Sequence, residues 1–330
     1  MTIRTTRARL LAALAMLGAS LPAPATAEQA SDYPSRNITY VVPFPAGGVA
    51  DILARIYTPT LAETLGKPIV IENRPGASTS MATNSVMRSP PDGYMIMQVD
   101  MSYAVAPNVV IAGYDPVRDL TPVVQIARST LVLAVNPALP ARSAAELVAL
   151  AKTKPGDLKF GTSGIGTPPH LGAVSFINAT GARLLHVPYR GAGQALQDVI
   201  AGHLHLIFTA PSLSMQQAKL GQVRLLGITG NARSPSLPDL STFAEQGIHM
   251  KEMDFGTWMG AMVPNGTPPA IVDKLNAAFN RVLAMPEVQA KLGRADYVAV
   301  GGAPAALAHV VATQTDYWRD ALRAAGVKQE

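Results

Sequence analysis

Two segments of the chain combine glycines with neutral hydrogen-bond donors. The first is Val41-Val42-Pro43-Phe44-Pro45-Ala46-Gly47-Gly48-Val49-Ala50-Asp51, and the second is Lys159-Phe160-Gly161-Thr162-Ser163-Gly164-Ile165-Gly166-Thr167-Pro168-Pro169-His170. Past Lys159 on the strand, neither loop contains Lys or Arg. Glycines permit tight turns and let backbone N–H groups come close to a guest. A helix that starts directly after such a turn adds unpaired donors and a partial positive charge, so an anion is favoured there. An anion held by backbone amides, Thr162, Ser163 and Thr167, without a fixed cation, suits a carboxylate that must be released again. Either segment alone also reads as an ordinary strand-to-helix turn. Their recurrence at matching places in two halves of the chain points to one ligand clasped between them.

Other chemistries fit these residues less well. Gly161-Thr162-Ser163-Gly164-Ile165 misses the nucleophile-elbow pattern at its last position. Neither segment completes a phosphate loop or a dinucleotide glycine pattern. Ser163 with His170 can be drawn as half of a secreted serine hydrolase, on the weak ground of a seven-residue separation. His203 and His205, two apart, would share one face of a strand and could reach one metal. With no Cys and no acidic partner at a suitable spacing, packed or solvated histidines are expected, and neither a metal nor a cofactor. His186 reads as packed near a strand end, and His249 and His309 as surface positions. Asp51 is expected to cap the helix and shape the loop.

The elements that must position these loops follow from hydrophobic periodicity. Ile38–Phe44 predicts a buried strand and Asp51–Leu65 a helix kinked at Pro59. Strands at Pro68–Glu72 and Tyr94–Val99 flank a helix near Thr79–Met87. Ser143 and Glu146 form a capping box for a helix running to Lys154. A strand at Leu158–Phe160 leads through the second loop to a helix at Pro168–Thr180. Strand Leu184–Tyr189, helix Gln194–Ala201, strand Leu204–Thr209, a helix to Leu220 and strand Val223–Ile228 complete the alternation. This pattern implies α/β architecture with parallel-rich sheets flanked by helices. Two long apolar runs, Val123–Val135 and Phe255–Val263, suit strands that cross between domains. The expected division is residues 28–127 with 257–330 as one domain and 128–256 as the other.

Residues 1–27 read as a secretory leader: Arg4, Arg7 and Arg9, an apolar run from Leu10 to Leu21, then Ala25-Thr26-Ala27 before the cut. The run is too short for a membrane anchor of about 20 residues. Absence of Cys excludes both disulfides and lipid attachment at cysteine. A periplasmic location is expected. Removing the leader takes three of the 27 Lys+Arg and none of the 22 Asp+Glu, so the net charge falls from +5 to +2. No basic block of the kind that tracks a phosphate backbone remains, and nucleic acid is excluded as a partner.

At the two loops the chain resembles the Bug-type extracytoplasmic solute receptors, the binding proteins of tripartite tricarboxylate transporters. The resemblance runs in order through Tyr33-Pro34, Val42-Pro43-Phe44-Pro45, Gly47-Gly48, Asp51, Glu72-Asn73-Arg74-Pro75-Gly76, Pro91-Asp92-Gly93-Tyr94 and Tyr114-Asp115-Pro116. It continues through His186-Val187-Pro188-Tyr189-Arg190-Gly191, Ser234-Pro235, Leu237-Pro238-Asp239, Pro264 to Pro268 and Pro286-Glu287-Val288. It implies a two-domain periplasmic binding protein, type II-like, with two crossover strands as hinge and no catalysis. It implies a small organic carboxylate as ligand and a two-subunit membrane transporter as partner, and a one-solute receptor needs no second copy. Carried onto matching positions, the ligand-facing residues are Phe44, Ala46, Gly47, Gly48, Val49, Ala50, Asp51, Thr162, Ser163, Gly164, Gly166, Thr167 and His170. The distal wall is expected from Tyr103, Tyr189, Thr209 and Trp258.

The chain departs from the family pattern at Ala46, Val49 and Ala50 and at Pro168-Pro169, where proline removes N–H donors. Methionines at Met95, Met97, Met101, Met250, Met253, Met259 and Met262 either fill the core or line a less polar pocket. A sensor partner in place of a transporter is equally compatible with the sequence.

Overall fold

The computed structural model describes residues 32–254, 256–327 and 329. The expected leader and Phe255 lie outside them. Eleven strands are found among the described residues: β1 (Ile38–Val42), β2 (Ile69–Asn73), β3 (Met95–Asp100), β4 (Leu120–Ser129), β5 (Val132–Val135), β6 (Lys159–Thr162), β7 (Leu185–Pro188), β8 (Leu206–Thr209), β9 (Arg224–Ile228), β10 (Thr257–Pro264) and β11 (Val298–Ala299). The helices are α1 (Val49–Leu65), α2 (Ser80–Met87), α3 (Met101–Val109), α4 (Ala144–Thr153), α5 (Pro168–Thr180), α6 (Ala192–Ala201), α7 (Pro211–Lys219), α8 (Pro269–Leu283), α9 (Pro286–Arg294) and α10 (Pro304–Ala324).

The strands form two sheets built on one plan. The first has the order β11-β4-β10-β3-β1-β2, and the second β7-β6-β8-β5-β9. In the first, β1 runs parallel to β2 and β3, while β10 is antiparallel to β3 and β4. In the second, β6 runs parallel to β7 and β8, while β5 is antiparallel to β8 and β9. Each sheet therefore contains a first parallel strand between its second and third neighbours. The chain leaves that first strand toward one side and returns on the other, which opens a crevice at the carboxyl ends. Both glycine loops leave such a strand: β1 in one sheet and β6 in the other.

The apolar run expected as one crossing strand, Val123–Val135, is instead two strands in different sheets. β4 stays in the first sheet, and the chain passes through Thr130-Leu131 into β5 of the second. It returns between β9 and β10. The two passages lie side by side: Leu131 N–H donates to Thr229 Oγ1 at 2.8 Å, Thr229 N–H donates to Leu131 O at 2.8 Å, and Thr257 pairs with Ser129. Gly256 (φ +69°) permits this closeness, since a Cβ there would stand 2.1 Å from the Ser129 carbonyl oxygen.

Packing explains why the elements hold. α1 buries Leu53, Ala54, Tyr57 and Leu61 along one face. It ends at left-handed Gly66, whose N–H bonds Glu63 O. α5 begins with Pro168 and Pro169 at its first two positions and stops at left-handed Gly181. Its Phe176 meets Phe208 of β8 and Phe243, with centroids 5.7–5.8 Å apart. α10 packs on α3 and β4 of the first sheet and on α5 of the second, and Asn178 donates to Ala321 O at 3.1 Å. The buried methionines Met97, Met101, Met250, Met253 and Met262 belong to the same continuous core, so for them the packing reading holds.

Candidate functional site

The first loop is exposed and tied from below. Pro45, Ala46 and Gly47 face solvent, Phe44, Gly48 and Val49 are half-buried, and Ala50 and Asp51 are buried. Asp51 is not the N-cap expected from the sequence. The helix begins two residues earlier, with Gly48 as cap and Asp51 inside the first turn. From there its carboxylate accepts from Gly47 N–H at 2.9 Å, from Asn73 Nδ2 at 3.0 Å, and from Arg55 at 2.9 and 3.0 Å. Asn73, the last residue of β2, also donates to Phe44 O at 3.0 Å, so one side-chain amide ties both ends of the loop. Burial works to raise the Asp51 pKa, but the hydrogen bonds from Arg55, Gly47 and Asn73 and the charge of Arg55 together hold it below the ordinary value.

Beneath the loop a buried relay fixes the helix start. Tyr40 hydrogen-bonds Tyr57 at 2.7 Å, Tyr57 donates to Gln98 Oε1 at 2.7 Å, and Gln98 Nε2 donates to Ala50 O at 3.0 Å. The amides of the first turn of α1 have no side-chain cap and remain available as donors.

The second loop is tied by uncharged groups. Thr162 is fully buried; its hydroxyl accepts from Gly164 N–H at 3.1 Å and lies 2.7 Å from His186 Nε2. Thr167 stands at the N-cap of α5, yet its hydroxyl donates to Gly164 O at 2.7 Å instead of capping the helix. His170 Nδ1 accepts from Gly166 N–H at 3.2 Å, which puts the proton of the neutral ring on Nε2. The ring of His186 lies 4.9 Å from Phe160 and 4.6 Å from His170, centroid to centroid. Burial, then the neighbouring His186, pushes the His170 pKa down to about 3; burial pushes His186 down to about 4. Both rings are neutral at pH 7. Ser163 is half-buried, and no bond joins it to His170. A ring that is engaged at Nδ1 and holds no proton-accepting power near pH 7 cannot serve Ser163 as a general base. The hydrolase pair drawn from the sequence is therefore not formed.

The second loop also touches the first sheet's group of elements. Ser78 Oγ, after β2, donates to Ile165 O at 2.8 Å. Gly166 (φ +74°) lies so close to α3, after β3, that a Cβ there would be 2.8 Å from Val109. Ser78 itself sits in a left-handed turn of three non-glycine residues, Ala77 (φ 45°), Ser78 (φ 48°) and Thr79 (φ 77°). Backbone of this kind is strained and persists where surrounding structure holds it.

The expected distal wall divides. Thr209 ends β8, is fully buried, and has no partner for its hydroxyl among the described residues. Trp258 is buried, and its Nε1 likewise has no partner among them. Tyr103 is taken up by packing: its hydroxyl donates to Pro116 O at 2.9 Å and its ring stacks on Tyr114. Tyr189 donates N–H to Thr162 O at 3.0 Å, but its hydroxyl is committed to Asp198. Sequence reasoning missed Asn73 and Ser78 as ties of the loops, and read His186 as packed without its contact to Thr162. Asn73 and His186 lie at strand ends inside segments that carried the family resemblance, which was the signal available. His203 lies beside Asp198 and His205 accepts from Lys159 N–H. Among the described residues no group of three or more His, Asp or Glu could hold a metal, and no helix is long and apolar enough to cross a membrane.

Residues 53–327 match the model of the tripartite tricarboxylate transporter family receptor. A protein encoded in the tcbD-tcbE intergenic region of Pseudomonas sp. strain P51 is 34% identical over 317 residues, covering 95% of this chain and 93% of its own. Rpa4515 of R. palustris, solved with adipate, superposes with a TM-score of 0.83 at 33% identity over 91% of this chain and 100% of its own. The periplasmic binding protein BugD superposes with a TM-score of 0.82 at 31% identity over 90% of this chain and 100% of its own. With two sheets of one plan and a glycine loop on the first parallel strand of each, the chain belongs to the family of tripartite tricarboxylate transporter receptors.

Proposed function

We propose that the chain is a periplasmic receptor that takes up a small organic carboxylate between two domains, residues 28–127 with 257–330 and residues 128–256, and delivers it to a two-subunit membrane transporter. The observation that carries this reading is the rest position of the second loop. It bears on the segments after β2 and β3, the two strands that flank β1 and its glycine loop. Two sets of uncommitted amides then face one guest: those of the first turn of α1, and those of Ser163, Ile165 and His170. Thr162, Thr167 and the neutral ring of His170 shape the second set.

Closure requires a ligand that binds the closed arrangement better than the open one, which donors from both loops provide. No fixed cation contributes, so affinity near micromolar, about −8 kcal/mol, is the expected scale. The adipate bound by a relative at 33% identity supports a carboxylate as guest. One cleft takes one solute, and the receptor works as a single copy.

A thermal-shift screen of organic acids tests the reading. An acid at a hundred times its dissociation constant adds about 2.7 kcal/mol of stability, a rise easily resolved. If no mono- or dicarboxylate shifts the transition, the proposal fails.

A further inference from the structure

Polar side chains left without partners are concentrated in one part of the molecule. Nine buried side-chain N or O atoms have no hydrogen-bond partner among the described residues. Asn108 and Ser214 lie within helices; the other seven lie at strand ends or in the short segments next to them. Thr79 and Ser80 follow β2, Ser102 follows β3, Thr257 opens β10 beside the end of β3, and Thr209 ends β8. Thr79, Ser80, Ser102, Thr209 and Thr257 are each at most 5% exposed. Buried hydroxyls in folded proteins are nearly always satisfied, and a group of exceptions needs an explanation. Their place at the carboxyl edges, next to the glycine loops, points to a ligand.

The character of that ligand follows from Asp100. This residue ends β3, is buried, and caps α3 by accepting from Ser102 N–H at 2.9 Å. It forms no ion pair among the described residues. The hydroxyl-bearing residues gather round it. Ser102 N–H bonds to it directly, Thr257 stands two residues before Met259, which faces Asp100 in the pairing of β10 with β3, and the turn that ends at Thr79 and leads into Ser80 packs on α3, the helix that Asp100 caps. Arg190, the cation at the end of β7, is exposed and follows Tyr189, whose N–H binds the second loop. The buried cluster thus offers one acceptor-only carboxylate and several hydroxyls, with no cation paired to that carboxylate among the described residues. An ionised carboxylate brought to this cluster would meet like charge in a site withdrawn from water. A hydroxyl or an ammonium would donate to Asp100, and hydrogen bonds to charged groups are the stronger kind.

We infer that the far end of the binding site selects a monocarboxylate bearing a hydrogen-bond donor, a hydroxyl or an ammonium group, at the end remote from the glycine loops, with Asp100 as its acceptor and Ser102 beside it. This rests on the carboxylate reading given above and narrows it. It sets the chain apart from the relative solved with adipate, a dicarboxylate.

Calorimetric titration of the full mature receptor with four matched acids tests the inference: the plain monocarboxylate, its ω-hydroxy and ω-amino forms, and the dicarboxylate, each in lengths from four to eight carbons. The ω-hydroxy or ω-amino acid of the best length should bind at least about tenfold tighter than the dicarboxylate and the plain acid, a gap of about 1.4 kcal/mol. Asp100→Asn keeps a good capping residue and should bring the dicarboxylate level with or ahead of the donor-bearing acids. Ser102→Ala, which leaves the Asp100 cap in place, should narrow the preference by a smaller factor. A dicarboxylate or plain acid that binds tightest to the unaltered receptor overturns the inference and leaves the carboxylate reading standing. So does a preference unchanged in both variants. Failure of every acid at every length overturns both.

Discussion

The two glycine loops hold the same station in their sheets and are secured by opposite means. The first is open to solvent and depends on an ionised side chain, Asp51, braced by Arg55 and Asn73. The second is half-buried and depends on hydroxyls and two neutral imidazoles. The difference follows from what surrounds each loop. A charge is tolerable at an exposed helix start, where water and an arginine share it. A charge inside the stack of Phe160, His186 and His170 would pay the full desolvation cost. One topological position can therefore be built with or without ionisation, and the two solutions should respond differently to substitution and to acid.

Substituting a glycine in each loop separates them most sharply. Gly166 and Gly47 have nearly the same backbone (φ +74° and +77°), but a Cβ at Gly166 meets Val109 at 2.8 Å and one at Gly47 meets nothing within 4 Å. Gly47→Ala should cost about 1 kcal/mol, the penalty of the left-handed backbone alone. Gly166→Ala should cost at least about 2 kcal/mol, since overpacking adds to it. Equal losses in denaturant titrations would show that the second loop yields freely and is not held by α3.

Removing the carboxylate is the next largest effect. Asp51→Ala leaves Gly47 N–H without its acceptor and Asn73 with Phe44 O alone, and carboxylate affinity should fall about tenfold or more. Asn73→Ala should give part of that loss, because it cuts the link from Phe44 O to Asp51. If Asp51→Ala binds as tightly as the unaltered protein, the first loop is ordered by something else.

Acid should act chiefly through the second loop. His170 and His186 take up protons at about 3 and about 4 when folded, against 6.5 ordinarily. The unfolded chain therefore binds more protons, and their contribution, complete above pH 6.5, is lost as the pH falls toward 4. Asp100 works in the opposite sense. Burial pushes its pKa up to about 6 against the hydrogen bonds from Ser102 and Tyr103, so its contribution is present below pH 3.8 and lost as the pH rises through 6. Melting curves from pH 7 to pH 4.5 should fall less steeply in His170→Phe and more steeply in Asp100→Asn than in the unaltered protein. Identical slopes would remove the distinction between a charged and an uncharged loop.

The smallest expected change is at the contact that brings the second loop onto the first sheet's elements. Ser78→Ala removes one hydrogen bond to Ile165 O, worth about 1 kcal/mol. Affinity should drop up to about fivefold, with unfolding almost unchanged. A larger change in unfolding than in affinity would make the contact a feature of the fold alone.

Much of this architecture was legible in the residues. The helix at Pro168–Thr180 is found where Pro168 and Gly181 bound it, because proline and left-handed glycine act locally. The strand-turn-helix alternation likewise rests on periodicity and turn chemistry, which each segment carries within itself. The glycine loops were visible for the same reason. What the sequence could not yield was anything that depends on two distant segments meeting. Val123–Val135 looks like one strand because an apolar run carries no mark of which sheet each half will join. Tyr103 and Ser102 are adjacent, yet packing took the tyrosine hydroxyl to Pro116 and left the serine hydroxyl without a hydrogen-bond partner among the described residues. Asn73 reaches Phe44, His186 reaches Thr162 and Ser78 reaches Ile165 across separations of 29, 24 and 87 residues. Local chemistry decided which turns could receive an anion. The pairing of strands decided which side chains would hold those turns in place, because that choice is made by the burial of surfaces far apart along the chain.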